Sequence, residues 1–428
     1  MQILMLSWEF PPKIVGGIAR HVHDLALALV KQGHHVHVIT CGVENLPEYE
    51  SDQGIMVHRV PMNNPSTPDF LTWVLQLNLN MVEKAVELKA KGLNFHIIHA
   101  HDWLAAYAGK LLKHGWRLPL VATIHATEYG RNHGLHNDLQ RYISNVEWWL
   151  GYEAWRIICC SKYMYHELQA VFQTPVDKLR IIPNGVYPEI FEVSGDLQKV
   201  RRNYVADDER MVFYVGRLVR EKGLGVLVEA IPHVLRRFDK VKFIIAGRGP
   251  YEHELKERCY QLGIFQRVYF TGYIDDFTRN ALYRGADVAV FPSLYEPFGI
   301  VALEAMAARV PVVVSDSGGI SEIVLHGVNG LKAFTDNPLS LADNILWLLE
   351  HPDHAQQLKE RAWKDVQEIY NWQKIAAETV KVYKEVYEEY LESDWRPVTG
   401  EEEGRNEAMA RMVKVMDGDE VSRYREIH

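Results

Sequence analysis

The sequence predicts an α/β protein of two doubly wound, parallel-sheet domains facing a central cleft. Three observations carry that expectation. Short β-branched or apolar runs alternate with longer stretches of helical periodicity, the rhythm of parallel strands joined by crossover helices. The rhythm stops at a polar, charged stretch, SGDLQKVRRNYVADDER (194–210), and then restarts. A chain of 428 residues is also too long for one ordinary core, so two domains are the natural partition.

In chain order, QILMLS (2–7) reads as a first strand. A Gly-Gly loop follows, and ARHVHDLALALVKQG then places Val22, Leu25, Leu29 and Val30 on one helix face ending near Gly33. HHVHVIT, IMVHRVP, FHIIHAH, LPLVATIHA, WRIICCS and LRIIPNGV supply the remaining strands of the first half. MVFYVGR, VKFIIAG, RVYFTGY, DVAVFPS, VPVVVSD and GLKAF supply those of the second. The helical stretch from 339 to about 392 ends in a Trp/Tyr-rich run, YNWQKIAAETVKVYKEVYEEYLE. The expected organisation is a domain over 1–193, a second over 194–375, a helix over 376–395 packing across their junction, and a charged tail over 396–428.

Composition narrows the class. Hydrophobic residues at 47% and charged residues at 24% describe a globular chain. A net charge of −9 argues against a nucleic-acid surface. No apolar run approaches the roughly 20 residues that span a bilayer, so no stable membrane insertion is expected. The start, MQILMLSWEFPPK, lacks the basic region and cleavage site of a signal peptide. Cys41, Cys159, Cys160 and Cys259 have no metal-ligand spacing and read as reduced, buried thiols of a cytoplasmic protein. Oligomeric state is left open.

In open parallel sheets ligands bind beyond the carboxyl ends of the strands, and several motifs fall there. In PPKIVGGIARH, Gly16 and Gly17 can bring backbone amides close to a ligand at a helix start. The full G-x-G-x-x-G dinucleotide fingerprint is absent. HAHDW and IHATEYGR place Asp102 and His125 at two strand ends, suited to a polar, hydroxyl-bearing substrate. In YVGRLVREKG, Arg217 offers a planar fork and Lys222 a point charge to a diphosphate. In SLYEPFGIVALEAMA, Glu296 falls in a loop and Glu304 in the body of a helix opening at Pro297. The amides of Phe298, Gly299, Ile300 and Val301 at that helix start suit a phosphate. Plainer readings stand beside these: a loop and helix start, structural histidines, a solvated charged loop.

Taken together, Gly16-Gly17, HAHDW, IHATE, PNGV, GRLVREKG and YEPFGIVALEA resemble the retaining glycosyltransferases of the GT-B fold, family 4. SWEFPPKIVGGIARHVHDLA and HAHDWLAA look closest to the glycogen-synthase-like branch that builds α-1,4-glucans. The likeness runs from residue 1 to about 390. Val15 stands where those synthases usually carry a lysine before Gly-Gly, with Lys13 two residues earlier.

The resemblance implies a hexosyltransferase moving glucose from ADP- or UDP-glucose to a glucan or maltooligosaccharide. Arg217 and Lys222 would grip the donor diphosphate. Glu296 would bond the donor sugar near C3 and Glu304 the nucleotide ribose. The amides around Gly299 and Ile300 would hold phosphate or sugar hydroxyls, and Gly17 the diphosphate. His125 would sit by the 6-hydroxyl and anomeric centre, Asp102 on the acceptor side and Asn184 near the sugar or hinge. No metal and no cofactor is expected. The D-x-D of Asp417 and Asp419 lies in the charged tail and reads as incidental. Competing readings are a relative acting on a small or lipid-linked acceptor and a nucleotide-sugar epimerase. A two-lobed sugar-binding protein gives no reason for Arg217, Lys222 and Glu296 to converge.

Overall fold

A computed structural model describes residues 1–61, 67, 69–192 and 197–397 of the chain. The first sheet contains β1 (Gln2–Leu6), β2 (His35–Cys41), β3 (Tyr49–Asp52), β4 (Ile55–Val60), β5 (Ile97–His101), β6 (Leu120–Ile124), β7 (Arg156–Cys159) and β8 (Leu179–Ile181). Its spatial order is β3-β4-β2-β1-β5-β6-β7-β8. The second contains β9 (Arg210–Val215), β10 (Val241–Ala246), β11 (Val268–Gly272), β12 (Val288–Phe291), β13 (Val312–Ser315) and β14 (Leu331–Ala333). Its order, β11-β10-β9-β12-β13-β14, is that of a Rossmann-like sheet.

The strands read as continuous apolar runs because helices cover both sheet faces. Ile3 to Leu6, Val288 to Val290 and Val312 to Val314 are all fully buried. All neighbours pair in parallel except β3, which runs antiparallel to β4. This edge strand was not anticipated, because its sequence YESD is polar. Its signal lay in the turn: Gln53 and Gly54 both take positive φ (49° and 91°), as a tight two-residue hairpin requires.

Strand order reverses between β1 and β5 in the first sheet and between β9 and β12 in the second. Loops leaving those four strands therefore open a crevice at their carboxyl ends. They carry, respectively, the Gly-Gly segment, Asp102, the Arg217–Lys222 stretch and Glu296.

Two elements depart from expectation. The helix after Glu296 opens at Ile300, not Pro297, because Gly299 at its N-cap adopts φ 103°. Backbone of that hand breaks a right-handed helix and suits glycine. The C-terminal helix starts at Trp372, not 376, and ends at Glu392. It lies along the first domain: Tyr383 Oη is 2.7 Å from His99 Nδ1, and Arg156 Nε donates to Glu385 at 3.0 Å. The chain re-enters that domain where the Val186 amide donates to the Tyr370 carbonyl at 2.9 Å.

The 193/194 boundary and nearly all of the tail, with Asp417 and Asp419, lie outside the described residues. All four cysteines are buried and unpaired, and burial raises the Cys159 thiol to about 12 and Cys259 to about 11. Among the described residues no helix is long and apolar enough to cross a membrane.

Candidate active site in the interdomain cleft

The two sheets' strand ends enclose one cleft of about 490 Å³. From the first domain Gly16, Gly17, Asp102, His125 and Asn184 line it. From the second come Arg217, Lys222, Glu296, Phe298, Gly299, Ile300, Val301 and Glu304. All the residues selected from sequence thus meet at one place.

Lys222 and Glu296, 74 residues apart, approach to 2.7 Å. Local backbone chemistry forces the meeting. Gly223 has φ 66°, and a Cβ there would lie 1.8 Å from the Pro292 carbonyl oxygen, so only glycine lets the two loops touch. The amides of Leu294 and Tyr295 donate to the Glu221 carbonyl at 2.8 and 3.2 Å, stitching the loops together. Ser293 Oγ donates to Glu296 at 3.3 Å, and the Glu296 carbonyl accepts from the Gly319 amide at 2.8 Å. Arg217, with its side chain 46% exposed, lies 3.6 Å from Glu221 and is open to an incoming anion. The first amides of the Ile300–Ala307 helix have no intrahelical acceptor by the geometry of a helix start, so they face the cleft as donors.

Glu304 is buried and already engaged. Arg20 donates to it at 3.0 Å and Tyr283 Oη at 3.0 Å, while Arg20 also reaches Asp276 at 2.8 Å. Arg20 belongs to the first domain, so this pair bridges the cleft. A nucleotide reaching Glu304 must displace it. Arg20→Ala is expected to give a larger radius of gyration by small-angle scattering of the ligand-free protein. Superimposable curves would show that the bridge does not hold the lobes. Stability should fall by more than the about 1 kcal/mol of a surface ion pair, because the buried Glu304 carboxylate would be left without its cation.

Gly16 requires a correction. Its amide, expected close to the bound donor, donates to Glu9 Oε2 at 3.2 Å, and Val15 and Ala19 donate to the same carboxylate at 2.6 and 3.3 Å. Glu9 thus fills the helix N-terminus with a charge of the protein's own. Burial raises its pKa, opposed by those three amides. Lys13 turns away as well, donating to Cys41 Sγ at 3.1 Å. Gly17 instead faces the second domain: a Cβ there would meet Ile300 Cδ1 at 3.1 Å.

Asp102 has φ 59° and ψ 173°, a conformation costing a non-glycine residue about 1–3 kcal/mol. One carboxylate oxygen, expected to serve substrate hydroxyls, accepts from the His125 amide at 2.7 Å. Burial raises Asp102 to about 6, opposed by the Arg131 charge and that amide. Burial, assisted by Arg131, lowers His125 to about 3, so its ring is neutral. Asn184 Oδ1 accepts from His21 Nδ1 at 2.6 Å.

A raised carboxylate pKa means that the folded state holds its proton longer than the unfolded state. Stability from this group is therefore present at low pH and falls between about 4 and about 6, by on the order of 3 kcal/mol. In Asp102→Asn, which keeps the acceptor for His125, the melting temperature should rise relative to the unaltered protein across that window. A constant difference between the two would show that Asp102 does not titrate there.

Residues 197–365 match the family described as glycosyl transferases group 1, and residues 15–190 match glycosyltransferase family 4. An uncharacterized glycosyltransferase of Methanocaldococcus jannaschii is 44% identical over 90% of this chain and 98% of its own. The chain belongs to the group 1/family 4 glycosyltransferases. A glycogen synthase of Mycobacterium tuberculosis is 34% identical over 90% of this chain and 94% of its own. A sucrose-phosphate synthase structure from Thermosynechococcus elongatus is 26% identical, with a TM-score of 0.79 covering 90% of this chain and 99% of that one. The GT-B architecture of this glycosyltransferase, two Rossmann-like domains around a cleft, is that of its structural neighbours.

The cleft residues that the sequence reading did not select include Glu9, Arg20 and Arg131. Glu9 had a signal, since a carboxylate just ahead of a glycine-led helix start is a candidate cap. Arg20 and Arg131 had none, because their partners lie far away in sequence.

Proposed function

We propose that this glycosyltransferase is a retaining, metal-independent hexosyltransferase carrying glucose from ADP- or UDP-glucose to an α-1,4-glucan. The observation that carries the reading is the Lys222–Glu296 pair at the mouth of the Ile300–Ala307 helix, with Arg217 beside it. Likeness to a glycogen synthase over nearly the whole chain supports the choice of acceptor.

In this reading Arg217 and Lys222 hold the diphosphate, assisted by the amides of Gly299 and Ile300. Glu296, kept beside Lys222, accepts from the donor sugar's hydroxyls near C3. His125 lies by the anomeric carbon, where its neutral ring accepts or donates one hydrogen bond. The bond from C1 to the diphosphate oxygen breaks, and the acceptor oxygen attacks from the face the diphosphate leaves. The acceptor's proton passes to a phosphate oxygen of the departing nucleotide. Rate then comes from charge stabilisation and positioning, without a carboxylate nucleophile. Glu304 receives the ribose once Arg20 withdraws.

The test is a panel of ADP- and UDP-sugars, with and without maltooligosaccharides, reading nucleotide release and chain extension. Release that depends on a glucose donor and a maltooligosaccharide, with α-linked product by NMR and an undiminished rate in chelator, is the expected result. Absence of release with every glucan acceptor would refute the glucan reading. Release only with a sugar phosphate would favour a small acceptor, the reading suggested by the likeness to a sucrose-phosphate synthase.

A further inference from the structure

Beneath the cleft, three histidines from separate elements converge. His21 comes from the Gly17–Lys31 helix, His101 ends β5 and His125 follows β6. Ring centroids are 4.5 Å apart for His21 and His125, 5.4 Å for His21 and His101, and 5.6 Å for His101 and His125. One ring nitrogen from each lies within 4.8 Å of the others, the sole such cluster of three among the described residues.

Hydrogen bonding singles these rings out. His99, two residues before His101, is satisfied at both nitrogens, by Tyr383 Oη and Thr123 Oγ1, each at 2.7 Å. His21 and His101 are equally buried, yet the Nε2 atom of each has no partner. A buried polar atom without a partner costs about 1–3 kcal/mol, and on His21 that atom is the one free to take a ligand. On His21 the proton sits on Nδ1, donated to Asn184 Oδ1 at 2.6 Å, which leaves Nε2 with a bare lone pair. Metal-bound imidazoles are commonly oriented by such an outer hydrogen bond.

We propose that His21, His101 and His125 form a three-imidazole site for a transition-metal cation of the Zn²⁺ class, whose occupation inhibits sugar transfer. A tetrahedral zinc site holds neighbouring nitrogens about 3.3 Å apart. His101 Nδ1 and His125 Nε2 already stand 3.4 Å apart across a hydrogen bond, so binding needs that hydrogen moved to a far ring nitrogen and small ring rotations. Imidazole donors without thiolates suit zinc, copper or nickel rather than magnesium or calcium. Arg131 opposes the cation and Asp102 favours it. His125 lines the cleft and gives the ion its entry path and its fourth, open position. Inhibition rests on the proposed role of His125 beside the anomeric carbon, whereas metal binding does not.

Binding is therefore read without activity, on the full chain with Co²⁺ or Zn²⁺ alone. One equivalent of Co²⁺ should produce the visible ligand-field bands of tetrahedral cobalt, and zinc X-ray absorption should report three imidazoles. His101→Gln should lose both signals, His99→Gln should keep them, and Asn184→Ala should weaken affinity about 10- to 100-fold. X-ray absorption on the unaltered protein decides the matter even if a variant misfolds. Substoichiometric binding, fewer than three imidazoles, or full binding by folded His101→Gln would overturn the site. In a transfer assay, Zn²⁺ should inhibit reversibly with chelator. Stoichiometric three-imidazole binding without inhibition would overturn the inhibitory half alone, while absence of any transfer activity would instead count against the proposed reaction.

Discussion

Lys222→Ala is expected to lower kcat/KM by about 10²- to 10³-fold, the usual effect of removing one preorganised group at a developing charge. The departing diphosphate would lose its point charge, leaving Arg217 to stabilise it from a more exposed position. Glu296 would also lose the cation 2.7 Å away that directs its carboxylate into the cleft. Because both effects strike one site, Glu296→Gln and Lys222→Ala combined should fall far short of the product of the single losses. Circular dichroism should show an intact fold, since the loops stay joined through the Glu221 carbonyl and the Gly223 contact. Near-normal turnover by Lys222→Ala would remove Lys222 from the chemistry and the diphosphate from that loop.

Trp372→Ala should be the most damaging single change to stability. Trp372 is 1% exposed and stands where the chain re-enters the first domain. Its ring packs against His21 at 5.5 Å between centroids, and a Cβ on Gly185 would touch it at 3.0 Å. Truncating a buried tryptophan costs about 3–5 kcal/mol, and for a domain of this size that lowers Tm by on the order of 10 °C. The loss should be concentrated in the first domain. Hydrogen exchange should therefore quicken along the Gly17–Lys31 and Trp372–Glu392 helices before it does in the second sheet. Uniform acceleration, or no shift in Tm, would show that the re-entry does not depend on this side chain.

Sequence made the strand framework legible because buried parallel strands must be apolar throughout. Only the polar edge strand Tyr49–Asp52 escaped. The site was legible wherever a motif is local, as in GRLVREKG or YEPFGIVALEA, since strand ends deliver such loops to one crevice. It was illegible wherever function depends on a partner elsewhere. Nothing near Glu304 shows Arg20 arriving from 284 residues away. Orientation within a loop was equally hidden. Asp102 was placed at the right strand end, but its bond to the His125 amide follows from a backbone twist that no residue type declares.

The returning C-terminal helix also sets an order of assembly during synthesis. Trp372, Ile375, Ala376, Val380, Tyr383 and Val386 share a hydrophobic cluster with Ile3, Met5, Val22, Leu25 and Val36. The first sheet is translated by residue 181, yet its apolar cover is made last. On the ribosome, all the strands of the second domain emerge while the first still waits for that cover. A chain released just before Trp372 would carry a finished C-terminal sheet and an N-terminal one with an open greasy flank, the kind of surface that chaperones retain and aggregates grow from.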